Sequence, residues 1–444
     1  MFGRGRAGRH GSQSRTGRLL LALVTASPTT RLVASAVTAR LDHPPGLIAL
    51  LPRPTGSVCF VRGDPDGDQG GEQGFVGWGV HARLTATGPD AAGRIQEWFE
   101  EVRAGLTVTD PIAEPGSGPL AFVSLGFDDS DVAVAVIPQV VVGHTAAGGF
   151  VTRIGVPDPD PAADPATEPV RSPGRISYAD ADLSVAGFTT AVAAATERIR
   201  RGELEKVVLA HDLVATADRP VDERLLLRRL AAAYPGCWTF DVEGLVGASP
   251  ELLIRRQGRL IASRVLAGTA WPEHSDDAVA AGLLHSSKDV AEHAYAVRSV
   301  SEVLAPVCVE LDVPARPAPL ELANLTHLST DITGRLGTFT PTALELAARL
   351  HPTAAVGGSP TDTARQVIRE LEPMSRGRYA APVGWVDGRG DGEFAIALRC
   401  AQVNGRSVRL LAGCGIVADS DPETEAREAQ IKMIPVRDAL ESTP

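Results

Sequence analysis

The residues of this 444-residue chain best suited to chemistry are carboxylates and lysines at helix spacing. Near the C-terminus Glu425, Glu428 and Lys432 stand at i, i+3 and i+7, which puts two carboxylates and an ammonium on one helix face. The preceding G-C-G-I-V-A-D-S-D-P, residues 413–422, reads as a strand ending in glycines and a polar turn that starts the helix. Glycines there let a ligand approach the backbone closely. A second helix begins S-S-K-D-V-A-E-H at Ser286 and carries Glu292. Three glutamates, completed by water and substrate oxygens, suit Mg²⁺, which takes hard oxygen ligands and few protein donors; zinc would call for His or Cys. The same spacings also fit solvated helix faces, the commoner fate of such charges. Lys206, opening the apolar run K-V-V-L-A, and Glu251, in G-A-S-P-E-L-L, are two candidates for general acid and base roles. In a cleft, burial would lower the lysine pKa and raise the glutamate pKa toward useful values; at the surface both would be plain charges.

Those side chains need elements to hold them. Apolar spacing predicts helices over 91–102, 188–201, 222–233, 288–304, 341–350, 362–371 and 422–440. Strands are expected at 46–51, 132–142, 206–213, 239–246, 252–256, 260–265, 383–386, 393–402 and 408–413. Strands broken by helices without a regular βαβ beat indicate α+β rather than a doubly wound sheet. A Pro-, Asp- and Ala-rich tract at 156–173 has little to bury and reads as a surface linker. It separates a catalytic region, 174–444, from a supporting region, 19–155, that offers no catalytic constellation. Residues 1–18 read as a disordered basic leader.

Composition narrows the function. A net charge of −11 argues against nucleic-acid binding, which needs a basic footprint. The run Leu19–Val24 is too short for a membrane span, and no other stretch reaches the ~18 apolar residues required. Five scattered cysteines without a C-x-x-C suggest neither a disulfide framework nor a zinc site, and reduced thiols point to the cytoplasm.

Taken in chain order, the segments resemble the chorismate-utilising enzymes, the family of isochorismate, salicylate, anthranilate and aminodeoxychorismate synthases. The likeness runs from Phe188 to Val436 through E-K-V-V-L-A (205–210), G-A-S-P-E-L-L (247–253), L-A-G-T (266–269), S-S-K-D-V-A-E-H (286–293), L-T-H-L (325–328), H-P-T-A-A-V-G-G (351–358), R-G-R-Y (376–379), A-L-R-C (397–400) and the stretch from Gly413 to Lys432. The resemblance implies an anthranilate synthase component I-like fold, two α/β subdomains around large, mainly antiparallel sheets with the active site between them. It implies that Glu292, Glu425 and Glu428 hold magnesium against the substrate's ring carboxylate. It also implies that Tyr379, Arg399, the Gly413 backbone and Lys432 contact substrate carboxylates, while Gly268, Thr269, His327 and Ala355 line the pocket.

The resemblance further implies a reaction. A lysine at position 206 resembles the base that activates water, where ammonia-using relatives generally have Gln, so no amidotransferase subunit is expected. Glu251 resembles the acid that protonates the hydroxyl leaving carbon 4 as water arrives at carbon 2. Ala267 stands where aminodeoxychorismate synthases place a nucleophilic lysine, and Ala355 where anthranilate and salicylate synthases tend to have Thr. The implied activity is therefore isochorismate synthase, a monomer or homodimer. The alternatives are a salicylate synthase, which eliminates pyruvate from the same intermediate, and a silent chorismate-binding protein. The chain departs from the family pattern at His211, at Ala381 and after L-A-G-T; alanine at 381 is expected to narrow the backbone approach to the ligand.

Overall fold

Short apolar runs separated by turn residues build two large sheets in a computed structural model, which describes Met1 and residues 34–41, 46–63, 72–146, 148–155, 167–270, 282–323 and 325–441. The basic leader, the run Leu19–Val24 and most of the 156–173 tract lie outside the described residues; 167–173 has no regular secondary structure. Ala34 to Pro444 forms one compact unit.

The first sheet runs, in spatial order, Ile176–Asp180, Lys206–Ala217, Ser407–Ile416, Cys400–Asn404, Leu245–Ser249, Trp238–Val242, Ser57–Arg62, Gln73–Trp78, Val140–Thr145, Gly148–Ile154, Ala34–Leu41 and Leu106–Thr109. Every pair on that path is antiparallel except the last. The second sheet, antiparallel throughout, runs Cys308–Asp312, Leu325–Leu336, Leu260–Ala270, Leu252–Gln257, Gly392–Ile396, Pro382–Asp387, Leu120–Ser124, Ala133–Ile137 and Ala82–Ala86. Residues before the linker tract thus extend both sheets.

The sheets share a core. Phe75 of the first meets Trp385 of the second edge-on, with ring centroids 4.6 Å apart, among fully buried Phe60, Phe122, Phe240 and Phe394. Each such ring stabilises the fold by about 1.5–3 kcal/mol relative to exposure. Leu226, Leu227 and Leu230 of the helix Glu223–Ala233 and Met433, Val436 and Leu440 of the helix Pro422–Glu441 form a second apolar cluster with Val246, Val408 and Leu410 of the first sheet.

Several strand expectations needed correction, and the reason is nonlocal. The segment 46–51 forms a 3₁₀ turn at Leu47–Leu50 instead of a strand. Three expected single strands are two strands each. Thr239–Val246 is a hairpin turned by Glu243 and Gly244, both at positive φ. Residues 132–142 break at Pro138, and 393–402 break at 397–399, and in both cases the chain passes from the second sheet to the first. Apolar periodicity does not record which sheet a strand joins. The helices lie close to expectation, with side-chain N-caps at Ser184, Asp222 and Ser286 and a capping box at Thr342 and Glu345.

Candidate active site

Two crossings between the sheets meet at the site. Pro250 and Glu251 join a first-sheet strand to a second-sheet strand, and 397–399 makes the reverse passage. The crossings brace each other through Ile396 N–H donating to Glu251 O (3.2 Å) and Ala248 N–H donating to Arg399 O (3.2 Å). Arg399 takes φ 49° and Ala380 φ 61°, conformations unusual for residues with a Cβ. Strain of this kind collects at functional sites. It falls on Ala380 rather than on Ala381, whose Cβ is buried.

Around this crossing lies a narrow cleft. Its walls include Glu251, Gly268, Thr269, Glu292, His327, Ala355, Tyr379, Arg399, Gly413 and Lys432, all expected from the sequence. Gly268 sits at a bulge in Leu260–Ala270, with φ 75°, and the next residue, Thr269, pairs with His327. His327 is wedged between groups: Arg399 Nη2 lies 3.0 Å from Nε2, and Gly268 O lies 3.1 Å from Nδ1. Burial and then the Arg399 charge hold its pKa well below the ordinary value, so the neutral ring accepts from Arg399 and donates to Gly268 O. That fixes the guanidinium at the cleft. Lys432 donates from Nζ to Gly413 O (3.2 Å) and pairs with Glu428.

Lys206 does not line the cleft; it lies behind the wall that Gly415 and Glu292 form. Its side chain is 0% exposed and its Nζ lies 3.1 Å from Glu292 Oε1. Even so, Nζ is not aligned for a hydrogen bond to any described group, which leaves a buried donor with unused capacity. Gly415 makes the pair possible: a Cβ there would stand 2.0 Å from Glu292 Oε1 and 2.9 Å from Lys206 Cε. Glu251 is also buried, and burial first of all pushes its carboxyl up to about 8, against the pull of the Leu266 N–H and of Lys206, Arg399 and Lys432. Near neutrality it therefore carries its proton.

The three expected metal ligands come from two helices, Glu292 on Ser287–Leu304 and Glu425 and Glu428 on Pro422–Glu441. Among the described residues no three His, Cys, Asp or Glu side chains are grouped tightly enough to hold a metal ion. Each carboxylate takes a lysine instead: Glu292 with Lys206, Glu425 with Lys288 at 2.8 Å, and Glu428 with Lys432. The donor chemistry still fits a hard divalent cation. Burial alone would lower the Lys288 pKa, yet Glu425, then the more remote charges of Glu292 and Glu428, hold it above the ordinary value, so one ammonium feels all three carboxylates. Burial and then the Glu428 charge raise Glu425. Lys288 and Gly415 were not singled out from the sequence. The i, i+4 spacing of Lys288 and Glu292 was a signal for the first, and the second glycine of G-C-G for the second.

The family described as chorismate binding enzyme matches residues 162–441, and the chain belongs to that family. The isochorismate synthase DhbC of Bacillus subtilis (strain 168) is 44% identical over 251 residues, which cover 53% of this chain and 63% of that protein. The match thus spans less than two thirds of the relative's length. The solved structure of MenF, the menaquinone-specific isochorismate synthase from Escherichia coli, superposes with a TM-score of 0.74 at 25% identity, covering 92% of this chain and 94% of that one. Anthranilate synthase component I from Streptococcus pneumoniae TIGR4 shares the fold, with a TM-score of 0.59 at 19% identity over 96% of this chain and 95% of its own.

Proposed function

We propose that the chain is an isochorismate synthase, an isomerase that converts chorismate to isochorismate with Mg²⁺. One observation carries the reading: a buried carboxyl that keeps its proton to about pH 8 lines the cleft, and a fully buried lysine with unused hydrogen-bonding capacity lies against Glu292 of the cleft wall. An acid and a base with opposite protonation states are what simultaneous addition and loss of water require.

Arg399, braced by His327, and Tyr379 and Lys432 bind the substrate's carboxylates. Glu292, Glu425 and Glu428 would hold Mg²⁺, whose charge neutralises the ring carboxylate when bound. Lys206 takes a proton from the water whose oxygen bonds to carbon 2. Glu251 gives its proton to the hydroxyl departing from carbon 4, which leaves as water. One water enters and one leaves, so the reaction is a net isomerisation. No buried side chain other than these is needed for proton transfer, and no ammonia donor is called for. The five cysteines are free, which supports a cytoplasmic location, and no described helix is long and apolar enough to cross a membrane. Isochorismate of this origin would feed menaquinone or siderophore formation.

The test is product analysis by liquid chromatography after incubation with chorismate and Mg²⁺. Isochorismate, lost on adding EDTA and in Lys206→Ala, supports the reading. Salicylate with pyruvate would move the protein to the salicylate branch, and no metal-dependent product would overturn it.

A further inference from the structure

The strand that carries Lys206 has a gap along one edge. On one side Lys206–Ala217 pairs with Ser407–Ile416 along nearly its whole length. On the other side Gly358 and Ser359 cover only Lys206 and Val207, and Ile176–Asp180 covers only Leu213 to Ala217. Unpaired buried backbone groups are costly, so the stretch between needs partners.

Gly357 O accepts from Val208 N–H (2.8 Å), and two side chains supply further partners. Glu372 Oε1 accepts from Ala210 N–H (2.8 Å), and Arg376 Nη2 donates to Val208 O (2.7 Å), as a neighbouring strand's carbonyl and amide would. The two are joined by a bidentate ion pair, Nε to Oε2 at 2.9 Å and Nη2 to Oε1 at 2.6 Å, with both side chains 1% exposed. Arg376 also reaches further. Its Nη1 donates to Val356 O (2.9 Å), next to Ala355 in the cleft wall, its guanidinium lies 4.2 Å over the Phe127 ring, and its carbonyl accepts from Tyr379 N–H (3.1 Å).

We propose that Glu372 and Arg376 are a positioning pair for the reaction, a substitute for a missing strand that sets the base strand, the Ala355 wall and the Tyr379 turn in one register. Neither touches the substrate. The role rests on the proposed isochorismate synthase reading, because it is the Lys206 strand that must be placed against the substrate. A buried ion pair is weak evidence for stability, and fixing register is its best-attested use. The five donors of an arginine fork hold a carboxylate and two carbonyls at once; a lysine keeps the charge and loses the fork.

The experiment is steady-state kinetics on Arg376→Lys in the full chain, with isochorismate as the measured product, together with a circular-dichroism melt to count folded protein. A shift of the base strand of about 1 Å lowers kcat about 100-fold. The expected result is that loss per folded molecule, with the KM for chorismate and the Mg²⁺ affinity little changed. Should Arg376→Lys not fold, Glu372→Gln, which keeps an acceptor for Ala210 N–H and removes the charge, carries the same test. Wild-type kcat per folded molecule, or a rise in KM alone, would overturn the positioning role. An inactive wild-type enzyme would instead count against the proposed reaction on which the role rests.

Discussion

Gly415→Ala isolates the packing of Lys206 against Glu292. The backbone there is ordinary, so a methyl group adds no φ strain and acts only through its neighbours. The new Cβ would stand 2.0 Å from Glu292 Oε1 and 2.9 Å from Lys206 Cε, where real contacts stay above 3.0 Å. The Glu292 carboxylate must therefore retreat by about 1 Å, and Lys206, buried with it, has no solvent to move into. A displacement of that size in a catalytic constellation costs about 100-fold in rate. That factor equals about 2.7 kcal/mol of transition-state stabilisation. Overpacking should also destabilise the fold by about 1–3 kcal/mol. Isochorismate formation followed by chromatography gives kcat, a thermal melt gives stability, and Gly282→Ala, with nothing within 4 Å of its Cβ, is the control. Wild-type kcat in a folded Gly415→Ala enzyme would refute the claim that Lys206 and Glu292 meet across this glycine.

Further outcomes follow from the same geometry. Glu251 keeps its proton up to about pH 8, so kcat/KM should fall as pH rises past that region; a pH–rate profile that stays flat to pH 10 would contradict its role as the acid. Mg²⁺ should raise the melting temperature, by about 2.7 kcal/mol of stability at a hundredfold excess over its Kd. Glu425→Gln should lose that shift, and an equal shift in the variant would remove Glu425 from the site. Glu223 and Asp241 form a buried carboxyl pair whose pKa values are raised chiefly by burial. A raised folded pKa gives stability that is complete below the unfolded carboxyl's pKa and is lost as pH climbs through the folded one. Asp241→Asn should therefore melt with less pH dependence than wild type between pH 5 and 9, and parallel curves would contradict the raised carboxyl pKa values.

Much of the site was legible because its parts are local. Glu425, Glu428 and Lys432 declare themselves by helix spacing, and Gly268, Tyr379 and Arg399 sit in short motifs whose order along the chain resembles the family's. What stayed hidden depends on contacts distant in sequence. Lys288 binds Glu425 across 137 positions, and Arg376 reaches Val208 across 168, distances that no window of the sequence spans. The splitting of 393–402 at Arg399 was invisible for the same reason: both halves are apolar, and only the topology shows that they enter different sheets. The turn at Leu47–Leu50 has the apolar run of a strand but buries Leu47 and Ile48 from a 3₁₀ conformation, a case where packing overrides propensity.

The central claim, that water adds at carbon 2 while the carbon 4 hydroxyl departs, is tested most directly by mass spectrometry of the product formed in heavy-oxygen water. Isochorismate carrying one heavy oxygen at carbon 2 is the expected product of the first turnovers, and no isochorismate is expected when Lys206 is alanine. Unlabelled isochorismate, or salicylate and pyruvate in its place, would contradict it.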